Sequence, residues 1–181
     1  MSSLRGHLLV AGPALVDPNF HRTVVLVGEH GDEGAMGVVL NRVSDVTVAE
    51  AVPPMAQLTA PDEPVYLGGP VEPQAVVVLA DFADPARAEV VVVGNVGFLP
   101  GEVDEAGELG DLRAVRVFAG YAGWGPGQLE GELEEGSWIV LPAREADVFT
   151  ATADRLWRDV LRREGGAYAV VALMPNEPRA N

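Results

Sequence analysis

The chain has 181 residues, of which 48% are hydrophobic and 22% are charged, and its formal net charge is −15. These values are typical of one globular domain and exclude a disordered chain. Cysteine and lysine are both absent, which excludes disulfides, thiolate metal sites, cysteine nucleophiles, Schiff-base lysines and Walker-type lysines. The acidic balance also argues against direct nucleic-acid binding, which draws much of its affinity from cations that meet phosphates.

The sequence shows no membrane or export signal. No apolar run approaches the roughly 18 residues that cross a bilayer, and the N-terminus lacks the apolar core of a signal peptide. We therefore expect a cytoplasmic protein without a membrane partner. The length favours a single domain over residues 1–181, with a surface tail at 176–181.

The first half of the chain reads as strands followed by a short helix. Residues 8–11 predict a first strand. A β-branched run at 23–28 predicts an interior strand, and residues 35–40 return as its hairpin partner across a polar loop. Thr47 opens a capping box, which predicts a short helix that ends before Pro53.

The second half adds more strands and places the helices late. Residues 99–111 are acidic and glycine-rich and are expected to form a loop or weak helix. After Pro142 an apolar stripe predicts a helical region with a break near Thr150. Periodicity does not decide between strand and helix at 168–173. The absence of regular βαβ alternation indicates an α+β class. Strands are predicted at 65–67, 75–80, 89–93, 113–118 and 137–141.

Residues 120–130 are an unusual stretch that combines several glycines, a proline and two large aromatic residues. The pattern predicts the end of a strand, a constrained turn and the start of a helix. Glycine permits positive φ and close backbone approach, and Pro126 suits the first position of a helix. Tyr121 and Trp124 are expected to pack over the glycines, where no side chain competes for space.

This stretch and three earlier blocks resemble the signature of the AlgH/YqgE proteins, a bacterial family largely of unknown function. The resemblance implies a mixed, strongly bent sheet folded toward a pseudo-barrel, with two to four outer helices. The family name also implies a link to transcription through alginate production. The earlier blocks are Gly6-His7-Leu8-Leu9-Val10-Ala11, then Glu29-His30 with residues 34–42, and Gly68-Gly69-Pro70-Val71.

His30 follows a strand that ends at Glu29, and it precedes a glycine loop. The two side chains could act together as a general base or, with Asp32, could ligate a metal ion. The alternative is a loop histidine that ties the hairpin by hydrogen bonds. Successive side chains on a strand point to opposite faces, so Glu29 and His30 should diverge. We therefore favour the tying role.

Polar residues beside glycine turns are a second group of candidates. Asn41, Gly68, Gly69 and Gln128 could converge on a pocket that binds a small ligand through amide and backbone groups. The alternative, which we favour, is that the amides tie loop backbones and the glycines serve tight turns. A run of acids beyond Gln128 is expected to be a solvated helix face. These acids are Glu130, Glu132, Glu134 and Glu135.

The residues identify no catalytic group, metal ligand or cofactor motif. We predict a non-enzymatic protein that binds an unknown protein partner or small ligand. Two alternatives stay open: a transcriptional regulator that acts through a protein partner, and an enzyme that uses carboxylates or His30, with or without a metal. The binding candidates are Glu29, His30, Asn41, Gly68, Gly69, Tyr121, Trp124 and Gln128.

Overall fold

The computed structural model describes residues 2–101 and 110–176. Within these ranges ten strands form one sheet. The strands are β1 (His7–Ala11), β2 (Val24–Gly31), β3 (Gly34–Val39), β4 (Val43–Thr47), β5 (Pro64–Leu67), β6 (Val71–Phe82), β7 (Val90–Val93), β8 (Val96–Phe98), β9 (Leu112–Trp124) and β10 (Trp138–Pro142). The helices are α1 (Val48–Ala51), α2 (Gln128–Glu134), α3 (Glu145–Val148), α4 (Leu156–Glu164) and α5 (Ala167–Val171), and 3₁₀ turns lie at Pro53–Leu58, Pro85–Arg87 and Ala153–Arg155.

The sheet runs in the order β10-β1-β2-β3-β9-β6-β8-β7, and β4 and β5 branch from it at β9. The β5–β9 pairing is parallel, whereas the other pairings among the described residues are antiparallel. The sheet is strongly curved but does not close. The predicted α+β class and bent sheet are confirmed. Five α-helices are described, whereas two to four were expected. Two of the five, α1 and α3, have only four residues each.

β9 is the strand on which the sheet is assembled. One of its edges pairs with β6 along most of its length. The other edge pairs first with β5, where Phe118 faces Tyr66, and then with β3, where Trp124 faces Ala35. The strand predicted at 113–118 is therefore real but longer at both ends, and its extension carries the start of the glycine-aromatic stretch.

The turn between β5 and β6 lies directly against β9. Gly120 and Gly69 both have left-handed φ values, +73° and +151°. A Cβ at Gly120 would lie 2.5 Å from the carbonyl oxygen of Gly69, and a Cβ at Gly69 would lie 2.2 Å from the carbonyl carbon of Tyr121. Side chains at either glycine would separate the two segments, so glycine is required there by contact as well as by conformation.

The core occupies both faces of the sheet around β1 and β2. Residues on one face pack with α4, and residues on the other face pack with Trp124 and Trp138. Because both faces are covered, β2 is continuously apolar over its buried part instead of alternating. The α4-side residues are Leu8, Val10, Val24 and Leu26, and those of the tryptophan side are Leu9, Ala11, Val25 and Val27.

Several local predictions are confirmed. β2 and β3 form the expected hairpin, in which Val25 faces Val39. The Oγ1 of Thr47 accepts a hydrogen bond from the N–H of Glu50 at 3.2 Å at the start of α1. The late helical region is interrupted between α3 and α4. Residues 167–171, in the segment for which periodicity left strand and helix open, are helical.

β4 and β8 were not predicted from the sequence. β8 has only three residues, and β4 is largely exposed. β4 forms because β5 lies beside it, and β8 forms because β6 lies beside it. Most of the loop or weak helix expected at 99–111, namely 102–109, and all of the expected tail except Asn176 lie outside the described residues. Within the described ranges, no helix is both long enough and apolar enough to cross a membrane.

Candidate functional site

The glycine-aromatic stretch forms the end of β9, a short turn and the start of α2. β9 ends at Trp124, and α2 begins at Gln128 after Gly127, whose φ is +74°. Pro126 is therefore not the first helical residue, because the left-handed Gly127 stands between it and the helix. The Oε1 of Gln128 accepts a hydrogen bond from the N–H of Gly125 at 3.0 Å. The Gln128 amide thus closes the turn.

Two tryptophans share one carboxylate oxygen of α2. The indole N–H groups of Trp124 and Trp138 donate to Oε1 of Glu132, at 3.3 and 3.2 Å. The two rings meet edge-on at 6.0 Å, and Phe20 packs against both of them. The expectation of a solvated face is wrong at Glu132, because α2 packs this side chain against the aromatic cluster.

His30 forms a second contact with α2. Its Nε2 lies 2.6 Å from Oε1 of Glu130; 3% of the histidine side chain and 31% of the glutamate side chain are exposed. The backbone N–H of Leu4 donates to Nδ1 of His30 at 3.0 Å. Since a backbone N–H can only donate, Nδ1 carries a lone pair in this arrangement, and Nε2–H donates to the carboxylate. The solvated-face expectation is therefore also wrong at Glu130.

The hydrogen bond from His30 has an electrostatic consequence for its partner. It stabilises the ionised carboxylate and lowers the pKa of Glu130. Both ring nitrogens of His30 are occupied by protein groups. Beside the pair lies a hollow of about 330 Å³, also lined by Ser3, Gly31, Asp32 and Gly127.

Glu29 takes no part in this pair. It is exposed, and the β2–β3 register shifts between Val27 and Glu29. Glu29 and His30 line a shallow hollow on the hairpin together with Asp32, but the carboxylate bonded to the imidazole is that of Glu130. Glu130 was the partner that sequence reasoning missed, since a hundred residues separate it from His30.

Asn41 joins the ends of the first hairpin. Its Oδ1 accepts the N–H of Val24 at 2.9 Å, and its Nδ2 donates to the carbonyl of Arg22 at 2.8 Å. Arg22 has a φ of +55°, a conformation that is uncommon for residues other than glycine. Both Asn41 contacts hold backbone at this strained corner.

Asn41 also lines a hollow with a volume of about 340 Å³, which we call the arginine hollow. The guanidinium of Arg22 lies 4.2 Å above the ring centroid of Trp157. Arg42 donates to backbone carbonyls of the loop before β2. Burial lowers the pKa of Arg22 and of Arg42, and the charge of Arg158 lowers that of Arg22 further. The hollow is lined by His21, Arg22, Asn41, Arg42, Asp154, Trp157, Arg158 and Asn176.

Gly68 and Gly69 do not line the arginine hollow. Gly69 lines a separate hollow of about 190 Å³ that also includes Arg42, and the N–H of Gly68 donates to the carbonyl of Ala119 at 2.8 Å. Tyr121 faces Val71 across the β6–β9 pairing. Asn41 and Gly69 thus lie on hollows that share Arg42.

The other candidates lie elsewhere. Gln128, Trp124 and His30 all contact α2 or belong to it. The structure therefore divides the candidates between two places instead of one pocket. Across residues 2–101 and 110–176, no group of three or more histidine and carboxylate side chains is arranged to hold a metal ion.

The fold and these sites can be compared with known proteins. The family model described as AlgH-like matches residues 8–169. A UPF0301 protein from Streptomyces coelicolor is 45% identical over 100% of this chain and 97% of its own length. Another UPF0301 protein, from Thermobifida fusca, is 42% identical over 99% of this chain and 96% of its own.

Solved structures show the same relationship. The crystal structure of protein DIP2367 from Corynebacterium diphtheriae superposes with a TM-score of 0.86 at 32% identity, covering 96% of this chain and 93% of that one. The solution structure of AlgH from Pseudomonas aeruginosa gives a TM-score of 0.72 at 29% identity, with coverage of 98% and 97%. The fold is that of an α+β protein with an open, curved sheet. The chain belongs to the AlgH-like family, and the predicted resemblance is confirmed.

Proposed function

We propose that this chain is a non-enzymatic protein that binds a small ligand in the arginine hollow. The observation that supports this function is the lining of the hollow. Its volume of about 340 Å³ lies in the range of about 300–1,000 Å³ that is typical of ligand sites, as does that of the hollow beside His30, so the lining and not the size favours the arginine hollow. Its wall combines guanidinium, amide and imidazole groups with an aromatic ring. Such convergent polar groups can fix the orientation of a bound molecule.

The hydrogen bonds of the His30 ring favour a binding function over a catalytic one. The candidate general base of the enzyme alternative receives a hydrogen bond at Nδ1 and is bonded to Glu130 at Nε2. A general base must instead reach a substrate proton through a free nitrogen. The contact between His30 and Glu130 instead supports a structural role for His30, which is to hold α2 against the β2–β3 hairpin.

The test is a panel of small metabolites screened by amide NMR against the isotope-labelled chain. Saturable shifts confined to the arginine hollow are expected, and amides around His30 and Glu130 provide the internal reference. A panel without any such shifts would contradict the proposal. Turnover in a broad substrate screen that His30→Ala abolishes would replace it with the enzyme alternative.

The proposed setting of this function is the cytoplasm. Fractionation of cells that carry a tagged chain tests the location directly. Recovery of the tagged chain mainly from the membrane or outside the cell would contradict it.

A further inference from the structure

The arginine hollow concentrates positive charge in an acidic protein. Arg22, Arg42 and Arg158 line it, and Asp154 is the carboxylate that lines it with them. Within residues 2–101 and 110–176, none of the three arginines has a carboxylate oxygen within 4.0 Å. The charge of Asp17 acts on Arg42 and opposes the effect of burial on its pKa, so Arg22 and Arg158 are the arginines that carry the attraction for an anion. Acidic residues outnumber basic ones by 27 to 12 in this chain, and arginines grouped without an ion pair attract anions locally.

Two of the arginines keep donors available to a ligand. Arg22 donates from Nη2 to the carbonyl of Met174, which occupies one end of its guanidinium. Arg158 is exposed, and no hydrogen bond joins its side chain to the rest of the described chain. The two charges lie near enough for Arg158 to lower the pKa of Arg22, after the larger effect of burial. An anion between them would relieve this repulsion and accept hydrogen bonds from both guanidinium groups.

His21 adds to the same wall. Its Nδ1 lies 3.2 Å from the carbonyl oxygen of Leu15, and its Nε2 lies 3.1 Å from that of Asn176. Carbonyl oxygens only accept, so a ring nitrogen that carries a proton is the donor in its contact. These contacts join the wall of the hollow to two backbone segments.

An apolar notch continues the hollow on one side. It has a volume of about 80 Å³ and shares His21, Arg22 and Trp157 with the arginine hollow. Its outer wall includes Val16 and Met174, of which 66% and 44% are exposed. A ligand with an anionic head and a short apolar group would fill both spaces and cover these side chains.

We propose that the arginine hollow binds a small phosphate monoester, with its phosphate between Arg22 and Arg158 and its apolar substituent over Val16 and Met174. This inference rests on the proposed small-ligand function and names the ligand class. A phosphate monoester carries about −1.5 to −2 charges at neutral pH and three strong acceptor oxygens. Guanidinium groups match these oxygens in geometry and charge.

Phenyl phosphate is the probe, titrated into the full chain and followed by amide NMR. We expect saturable shifts at the arginine hollow and tighter binding than for inorganic phosphate, because the phenyl group covers the notch. Arg158→Gln should weaken binding about 10-fold, the effect of losing a hydrogen bond to a charged group. Arg162→Gln removes the same charge from another exposed position of α4 and should change binding by less than about 2-fold.

The controls distinguish the phosphate assignment from the small-ligand function on which it rests. Unchanged melting temperatures for both variants are expected, and they show that lost binding does not reflect lost folding. Absent saturation by phenyl phosphate, or equal weakening by both variants, contradicts the phosphate assignment. A neutral compound that binds the hollow when phenyl phosphate does not would overturn this assignment alone, whereas a metabolite panel without any binding would overturn the function as well. Retention on phosphatidic acid vesicles without phenyl phosphate binding would assign the site to a lipid headgroup instead.

Discussion

Individual glutamates of α2 have different environments although they lie on one short helix. Glu130 accepts from His30, Glu132 accepts from two indoles, and Glu134 is exposed. An acid-rich helix usually presents such residues to solvent. Here the helix lies between the β2–β3 hairpin and β10, so the side chains that face these elements acquire specific partners.

The first prediction concerns Glu132. Replacement by leucine leaves the indole N–H groups of Trp124 and Trp138 without their acceptor, while 6% and 4% of these residues are exposed. We expect the free energy of unfolding to fall by about 2 kcal/mol, because buried donors without partners are costly. Denaturant unfolding followed by tryptophan fluorescence measures it. Glu134→Leu, on the exposed side of α2, should stay within about 0.5 kcal/mol; equal losses in both variants would contradict the shared-carboxylate role.

The second prediction concerns the titration of Glu130. Its pKa is lowered from 4.5, first by the hydrogen bond from His30, so in an NMR titration its carboxyl carbon should show a midpoint below 4.5 that returns toward 4.5 in His30→Leu. Because the folded pKa is the lower one, the stabilising contribution is complete above the unfolded pKa and disappears as pH falls through the folded pKa. A Glu130 midpoint that His30→Leu leaves unchanged would contradict the assignment.

At the scale of elements, the turn between β9 and α2 depends on backbone conformation. Gly127 precedes the helix at φ +74°, and Gly131 lies within the helix; a Cβ at either position would meet no atom within 4 Å. Steric contact is therefore equal at the two positions. Only the backbone conformation distinguishes them, which makes them a matched pair.

The third prediction uses this pair. Gly127→Ala should lower the free energy of unfolding by about 1–2 kcal/mol, the cost of placing a Cβ in left-handed backbone. Gly131→Ala should raise it by up to about 1 kcal/mol, because alanine favours the helix over glycine. Chemical denaturation of both variants measures the difference. Changes of the same sign would show that the conformation of the turn is not what requires Gly127.

At the scale of the whole molecule, charge is distributed unevenly. The chain carries a formal charge of −15, yet three of its arginines gather at one hollow. The excess of like charge opposes the compact state through self-repulsion, and it favours solubility. The arginine hollow therefore groups three of the twelve basic residues at one place in an acidic molecule.

The fourth prediction follows from that excess. Raising sodium chloride from about 0.01 to about 0.5 M shortens the screening length from about 30 Å to a few ångströms. We expect the melting temperature to rise, because screening removes repulsion among acidic side chains. Scanning calorimetry in a buffer without phosphate measures it, so that no anion specific to the hollow contributes. A constant or falling melting temperature would show that favourable ion pairs dominate the electrostatics of this fold.

The sequence by itself determined those features that depend on neighbouring residues. The β-branched run and its return predicted the β2–β3 hairpin, the capping box at Thr47 predicted α1, and glycine spacing predicted a sharp bend after β9. Family blocks spread along the chain indicated the bent α+β sheet. These signals are local, or are carried by a shared pattern of residues, so they can be recognised without coordinates.

Only the tertiary structure decided which distant side chains meet. It paired His30 with Glu130, placed Glu132 beneath two tryptophans and brought Arg22 and Arg42 to Arg158. It also created β4 and β8, which are too short or too exposed to be recognised alone. The physical reason is that these contacts depend on how β9 positions its neighbouring strands and α2, and no spacing along one chain encodes a distance between segments a hundred residues apart.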